Sequence, residues 1–124
     1  KDPNGKDDIL IDSGDLHIQI DKPVKFLLRS LDVLHNFYVP QFRGKMDMVP
    51  GHVTYYWLTP IRTGDFEVLC AEFCGVGHYA MRGRVIVDDE KNYNQWLAQQ
   101  ITFEKMLAQN KIDNKSLKLV KNIE

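Results

Sequence analysis

Twelve consecutive residues, Cys70-Ala71-Glu72-Phe73-Cys74-Gly75-Val76-Gly77-His78-Tyr79-Ala80-Met81, hold two thiols, one imidazole and one thioether. A further imidazole, His35, stands upstream in Asp32-Val33-Leu34-His35-Asn36-Phe37, just after an apolar run. These are soft ligands. Thiolate and thioether donors favour copper, and a weak Met is typical of copper electron-transfer sites. A mononuclear blue-copper site takes two His, one Cys and an axial Met. His35, Cys74, His78 and Met81 supply that set in the usual order. Cys70 is then surplus, and a second thiolate four residues from the first could bridge a second copper.

Three other chemistries compete for the same residues. Zinc would be closed in by Cys70, Cys74, His78 and His35, but that leaves Met81 unused, and C-x3-C is less usual than C-x2-C in zinc sites. A thiol-based copper carrier of the thioredoxin fold needs βαβ units, whereas only one helical pattern is visible, at the end of the chain. A plain disulfide between Cys70 and Cys74 would close a very small loop and contribute little stability.

The elements that must position these residues read as short strands separated by turns. Strand-like runs cover Ile9–Ile11, Leu16–Ile20, Val24–Leu31, His52–Thr59, Asp65–Leu69 and Arg84–Val87. Between them stand Ser13-Gly14, Lys22-Pro23, Val49-Pro50-Gly51 and Thr63-Gly64-Asp65, which are turn formers. This spacing predicts an all-β sandwich or barrel rather than βαβ units. The Cys70–Met81 segment falls between two strands as a loop, and its glycines let it fold tightly. From Asp88 to Asn110 the pattern becomes helical, with Tyr93, Leu97 and Ile101 four apart on one face. Asp88 or Asp89 is the expected cap.

The expected organisation is therefore a loose leader (1–8), a β domain (9–88), a C-terminal helix (89–110) and a Lys-rich tail (111–124). The length of 124 residues fits one domain with its own core. A formal charge of −1 gives no global field that would point to nucleic acid. Residues 1–21 carry six Asp against two Lys, and residues 105–121 carry five Lys against one Asp. Both read as solvated ends. No apolar stretch is long enough to span a bilayer and no signal peptide is visible. Lys1 in place of Met suggests a cut or processed N-terminus.

Asp32-Val33-Leu34-His35, Val49-Pro50-Gly51 and the pattern C-x-E-x-C-x3-H-x2-M, with a His about 35 residues upstream, resemble the C-terminal domain of cytochrome c oxidase subunit II. The resemblance covers roughly residues 8 to 103. It implies a cupredoxin-like Greek-key β-barrel carrying a dinuclear copper centre, CuA. Cys70 and Cys74 match its bridging thiolates. His35 and Met81 match the ligands of one copper, and His78 and the Glu72 carbonyl those of the other. The Glu72 side chain matches a group that reaches a magnesium ion shared with subunit I. The resemblance further implies the electron-accepting subunit of an oxidase, on the periplasmic or intermembrane-space side of an energy-transducing membrane. Electrons would come from a c-type cytochrome and pass to a haem in subunit I.

Nitrous oxide reductase has a similar motif with Trp in place of Glu72, so Glu72 favours the oxidase. A haem–copper nitric oxide reductase using the same domain, and a copper or thiol carrier, are the rival readings. The sequence departs from the family at Phe37, where a Trp is common. The family's transmembrane hairpin, and the aromatic-rich strand after it with a Trp used for electron uptake, have no counterpart in these residues.

Other residues carry weaker expectations. His17 receives no role and His52 is expected at a turn. Met46 and Met48 are placed in an irregular stretch, as core residues. Tyr55, Tyr56 and Trp57 are expected in the core of the sandwich, and Trp96 is expected to anchor the tail helix. Asp32 and Asp47 are expected as surface charges, and Arg82 and Arg84 near a subunit interface.

Overall fold

The computed structural model describes residues 4–11 and 14–109. It divides into two compact units, Ser13–Trp96 and the pairing of Lys1–Asp12 with Leu97–Glu124. The first holds seven strands: β1 (Asp15–Gln19), β2 (Val24–Leu28), β3 (His35–Val39), β4 (Gly44–Met48), β5 (Thr54–Leu58), β6 (Gly64–Cys70) and β7 (Arg82–Asp88). Five form one sheet in the order β1-β7-β6-β3-β4, and β2 and β5 form a second. The β1–β7 pair is parallel and the other pairs are antiparallel. Neighbours in space are mostly not neighbours in sequence, and the fold is the expected cupredoxin-like β-sandwich followed by helix.

Alternation along the strands builds the core. Phe26 and Leu28 of β2, Ile18 of β1, Val39 of β3, and Val85 and Val87 of β7 are buried. Phe37 of β3, Met46 and Met48 of β4, Tyr56 and Leu58 of β5, and Phe66 and Val68 of β6 pack against them. Val39 and Val85 are fully buried, and each contributes about 1.5–3 kcal/mol relative to an exposed side chain. Phe26, Phe37 and Tyr56 cluster with ring centroids 5.2–6.1 Å apart. Met46 and Met48 are therefore core residues as expected, but in a strand rather than an irregular stretch.

Several expectations are corrected. Ile9–Ile11 forms no strand: Ile9 makes one isolated bridge, to Thr102, and Leu10 is 55% exposed. The run Val24–Leu31 stops at Leu28, and Leu31 is fully exposed. Only Tyr56 of the aromatic trio faces inward. Tyr55 and Trp57 lie on the opposite face of β5, Trp57 73% exposed, because successive strand residues point to opposite sides.

The helical stretch expected over 89–110 is divided. α1 covers Glu90–Ala98, and a second helical stretch covers 103–109. Ile101 falls between them. Asp89 is the cap: its Oδ1 accepts from the Asn92 backbone N–H at 2.7 Å. Trp96 does anchor α1, and its partner is His17. Their rings stack with centroids 4.6 Å apart, and His17 Nδ1 lies 2.6 Å from Asp88 Oδ2. In the other unit the leader is tied down, with Phe103 N–H donating to the Asp8 carbonyl at 2.7 Å and Glu104 N–H to that of Lys6 at 3.1 Å. Residue 110 and the Lys-rich tail 111–124 lie outside the described residues.

Candidate metal centre

Three neighbouring pieces of chain bring the donors together. β3 begins at His35, β6 ends at Cys70, and β7 begins one residue after Met81. β3 and β6 are paired with Phe37 opposite Cys70. That register sets the His35 imidazole beside the first thiol. Cys70 therefore stands on a strand rather than in the loop.

The intervening loop folds back on itself through local hydrogen bonds. Gly75 takes φ +128°, a conformation L side chains rarely adopt. His78 N–H donates to the Gly75 carbonyl, Ala80 N–H to that of Gly77, and Met81 N–H to that of His78. The last two close a single 3-10 turn, His78–Ala80. It turns His78 and Met81 back toward Cys74.

The resulting distances suit one metal-binding cluster. Cys70 Sγ lies 3.7 Å from Cys74 Sγ, 3.9 Å from His35 Nδ1 and 3.3 Å from the Glu72 carbonyl oxygen. Cys74 Sγ lies 3.5 Å from His78 Nδ1 and 3.3 Å from Met81 Sδ. Bonds of about 2.0–2.3 Å in tetrahedral geometry require donors about 3.3–3.8 Å apart. His35, Cys70 and Cys74 have their donor atoms within 4.8 Å of one another. Both cysteines are free thiols. All six positions singled out in the sequence thus meet here, Glu72 through its backbone oxygen.

The electrostatics separate the two thiols. Partial burial acts to raise the Cys70 pKa. Hydrogen bonds from the Asn36 and Glu72 backbone, with the His35 and His78 imidazoles, outweigh it and bring the thiol down to about 6. Cys74 moves the other way, raised by burial and then by the neighbouring Cys70 sulfur. The cluster thus favours a first thiolate at Cys70, and a cation would stabilise both.

Sequence reasoning missed the residues behind the donors. Asp32 Oδ1 lies 2.8 Å from His35 Nε2, and Asn36 Nδ2 donates to Asp47 Oδ1 at 2.7 Å. These two acids, expected as ordinary surface charges, hold the residues at the start of β3. The available signal was adjacency: Asp32 is three residues before a candidate ligand and Asn36 is next to it. Arg82 and Arg84 are engaged with acids of their own sheet, Glu67 at 2.8 Å and Asp15 at 2.9 Å.

The rim of the cluster is apolar and open. Phe73, Val76 and Tyr79 are 80%, 95% and 80% exposed, and Met81 is 42% exposed. Phe73 also leans on the His78 ring, with centroids 5.9 Å apart.

A family model for the periplasmic domain of cytochrome c oxidase subunit II matches residues 4–89. The chain belongs to that family. Among subunit II relatives, the alternative cytochrome c oxidase subunit 2 of Bradyrhizobium diazoefficiens is 62% identical over 111 residues, covering 90% of this chain and 40% of the relative. The cytochrome c oxidase subunit 2 of Thermostichus vulcanus is 44% identical over 87 residues, 70% of this chain and 26% of the relative. The chain thus spans less than half the length of these subunits. Among solved structures, the periplasmic domain of subunit II of cytochrome oxidase from Bradyrhizobium japonicum superimposes with a TM-score of 0.65 at 28% identity, over 68% of this chain and 61% of that one. A mixed disulfide intermediate between a thioredoxin-like protein and a subunit II also matches, with a TM-score of 0.59 at 27% identity, over 68% of this chain and 59% of that one. For a subunit II periplasmic domain, His35, Cys70 and Cys74 are the candidate copper ligands. No described helix is long and apolar enough to cross a membrane.

Proposed function

We propose that this domain holds a dinuclear CuA centre, takes single electrons from a c-type cytochrome and passes them to a haem in the partner subunit I of a cytochrome c oxidase. The observation that carries the reading is the pair of thiol sulfurs 3.7 Å apart, each with an imidazole nitrogen within 3.9 Å and a weaker donor at 3.3 Å. One thiolate, two imidazoles and a thioether complete a single-copper site. A second thiolate and a backbone carbonyl supply what a second ion needs.

Cys70 and Cys74 would hold both ions, with His35 and Met81 completing the ligands of one and His78 and the Glu72 carbonyl those of the other. Bound there, copper supplies a one-electron acceptor and donor, and no proton or group is transferred. The chain's residues keep the donors in place during the change of charge. The strand ends fix His35 and Cys70, the 3-10 turn fixes His78 and Met81, and Asp32 orients the His35 ring. A rigid donor set lowers the structural adjustment that accompanies each electron. The Phe73, Val76, Tyr79 and Met81 rim suits close approach of another protein, because little bound water must be displaced from apolar surface.

The Glu72 side chain is assigned to a magnesium ion shared with subunit I, and the domain to the outer face of an energy-transducing membrane. Glu72 favours an oxidase over nitrous oxide reductase, and the same centre would also serve a haem–copper nitric oxide reductase. Before metal is loaded, the free thiols have a further use. A related subunit II forms a mixed disulfide with a thioredoxin-like protein, and the same exchange here would keep Cys70 and Cys74 reduced for copper. A pure copper or thiol carrier does not require Met81 and the Glu72 carbonyl to converge on the sulfurs.

Stopped-flow mixing of the copper-loaded domain with a reduced c-type cytochrome tests electron acceptance. Cytochrome oxidation with matching bleaching of the copper band, one electron per domain, is expected. Copper lost to a chelator with no electron uptake would favour the carrier.

A further inference from the structure

A cavity of about 560 Å³ opens at the end of the sandwich away from the donor cluster, a size in the range of small-molecule sites. Two strands set that separation. β3 begins at His35 and ends just before the turn that carries Phe42. β6 carries Phe66 four residues before Cys70, which is about 13 Å of strand. Phe42 and Phe66 both line the cavity, so it is a separate place from the metal centre.

Its lining is apolar with two uncompensated cations. The Phe42 and Phe66 rings meet with centroids 5.3 Å apart, and both pack against the core with Leu58. Ile61 extends the apolar lining outward and is 87% exposed. Arg43 and Arg62 complete it, and neither makes an ion pair among the described residues. Asp65 and Glu67 flank Phe66 in sequence but point to the other face of β6. There Arg84 lies 3.9 Å from Asp65 and Arg82 lies 2.8 Å from Glu67. The neighbouring cavity that holds those four residues and Asp15 thus balances its own charge, and the Arg43–Arg62 cavity does not.

The chain also holds Arg43 in a costly place. Arg43 takes φ +55° and ψ +26°, the left-handed region that glycine or asparagine adopts more readily. Its N–H donates to the Pro40 carbonyl at 3.1 Å, closing the turn. The next residue has to be small, because a Cβ at Gly44 would stand 2.7 Å from the Tyr56 hydroxyl oxygen. The turn therefore fixes where the Arg43 side chain leaves the backbone, beside the cavity.

We propose that this cavity binds a small organic anion with an apolar body, an alkyl or aryl carboxylate. Phe42, Leu58 and Phe66 take the body, and Arg43 and Arg62 take the carboxylate. A guanidinium presents a planar fork of donors that matches a carboxylate. Two cations without acids disfavour a neutral ligand, and the aromatic lining gives a bare inorganic anion nothing to bury. The site uses none of the metal donors, so it stands whether or not the domain carries copper.

Exposed cations attract any anion weakly, so the test compares three probes of related structure. The domain is titrated with octanoate, octanol and acetate, followed by amide shifts in NMR. Octanoate should give saturable shifts at Phe42, Arg43, Arg62 and Phe66, with a dissociation constant of about 1 mM or tighter, the scale for a ligand of about ten heavy atoms. Octanol lacks the charge and acetate lacks the body, and each should bind at least about tenfold more weakly. Arg62→Gln, and Arg43→Asn, which suits the left-handed backbone, should each weaken octanoate by about tenfold or more, the worth of a charged hydrogen bond. Val39 and Val85 amides at their parent positions report that each variant is folded, and Arg62→Gln decides alone if Arg43→Asn is not. Arg29→Gln removes an exposed cation that does not line the cavity and should leave the affinity within about twofold, since exposed charges at a distance contribute little. No saturable shift with octanoate, acetate or octanol binding as tightly as octanoate, or parent affinity in Arg62→Gln would overturn the proposal.

Discussion

The Asp32 carboxylate holds the His35 imidazole by one nitrogen and leaves the other to the thiols: Oδ1 is 2.8 Å from Nε2, and Nδ1 is 3.9 Å from Cys70 Sγ. The His35 hydrogen bond, with the Val33 backbone behind it, brings the Asp32 pKa down to about 2. Asp32 is therefore ionised at any ordinary pH and can only accept. Nε2 therefore carries a proton, and Nδ1, which faces the thiols, offers its lone pair to a metal once its own proton is displaced. This is the arrangement in which an outer carboxylate fixes the tautomer of a ligating histidine.

Removing Asp32 should weaken metal binding more than folding. Its side chain is 67% exposed, so Asp32→Ala loses little packing. Outer partners of metal-bound histidines are worth about 10–100-fold in affinity, and the exposure places Asp32 near the lower bound, about tenfold. Competition with a copper chelator measures this, and an affinity equal to the parent's would deny Asp32 the orienting role.

The two thiols should differ in reactivity before metal is bound. The thiolate is the nucleophile, and Cys70 is held near 6 while Cys74 is raised above the ordinary thiol range. Lowering the pH through 6 protonates Cys70, so its alkylation should fall there and rise to a plateau above it. Cys74 should react only at higher pH. Iodoacetamide labelling of the reduced, copper-free domain with peptide mapping decides it. Faster labelling of Cys74 at neutral pH would reverse the assignment.

Cys70→Ser should abolish the dinuclear centre and leave His35, Cys74, His78 and Met81 for a single copper. One copper per chain and a changed visible spectrum are expected from metal analysis and absorption. Two coppers with the parent spectrum would remove Cys70 from the bridge.

Met81→Leu should still take up copper, because thiolates and imidazoles do most of the binding. Its reduction potential should rise, since losing a donor disfavours the oxidised state. Met81 Sδ lies 3.3 Å from Cys74 Sγ, yet the residue is 42% exposed. A packing role alone would make this near-isosteric change silent, so an unchanged potential and spectrum would return Met81 to that role.

The donor set was legible in the sequence because soft ligands at fixed spacing are rare and local. Cys70 to Met81 lie within one loop and its flanks, so chain connectivity alone brings them near each other. His35 was legible only as the second imidazole that a copper ligand set needs, not from any local spacing. What joins it to the thiols is the β3–β6 register, a contact across 35 residues that no local pattern encodes. β3 and β4 escaped the strand reading for a related reason. Asn36 and the charged Lys45 and Asp47 break the apolar runs, and their places in the sheet are secured by pairing rather than propensity. Tyr55 and Trp57 were misread because alternation gives two faces without saying which is inner. Leu31 was read into β2 on apolarity alone, and the turn at Ser30, with its hydroxyl bonded to Asp32 and to the Val33 carbonyl, ends the strand before it.

Copper content and electron-spin resonance of the reconstituted, oxidised domain decide whether the thiols hold a dinuclear centre. Two thiolates 3.7 Å apart should bind two coppers per chain and spread one unpaired electron over both. Two copper atoms per chain, an intense purple colour and a hyperfine pattern from two equivalent copper nuclei are expected. One zinc per chain with no visible band, or one copper with the hyperfine pattern of a single nucleus, would contradict it.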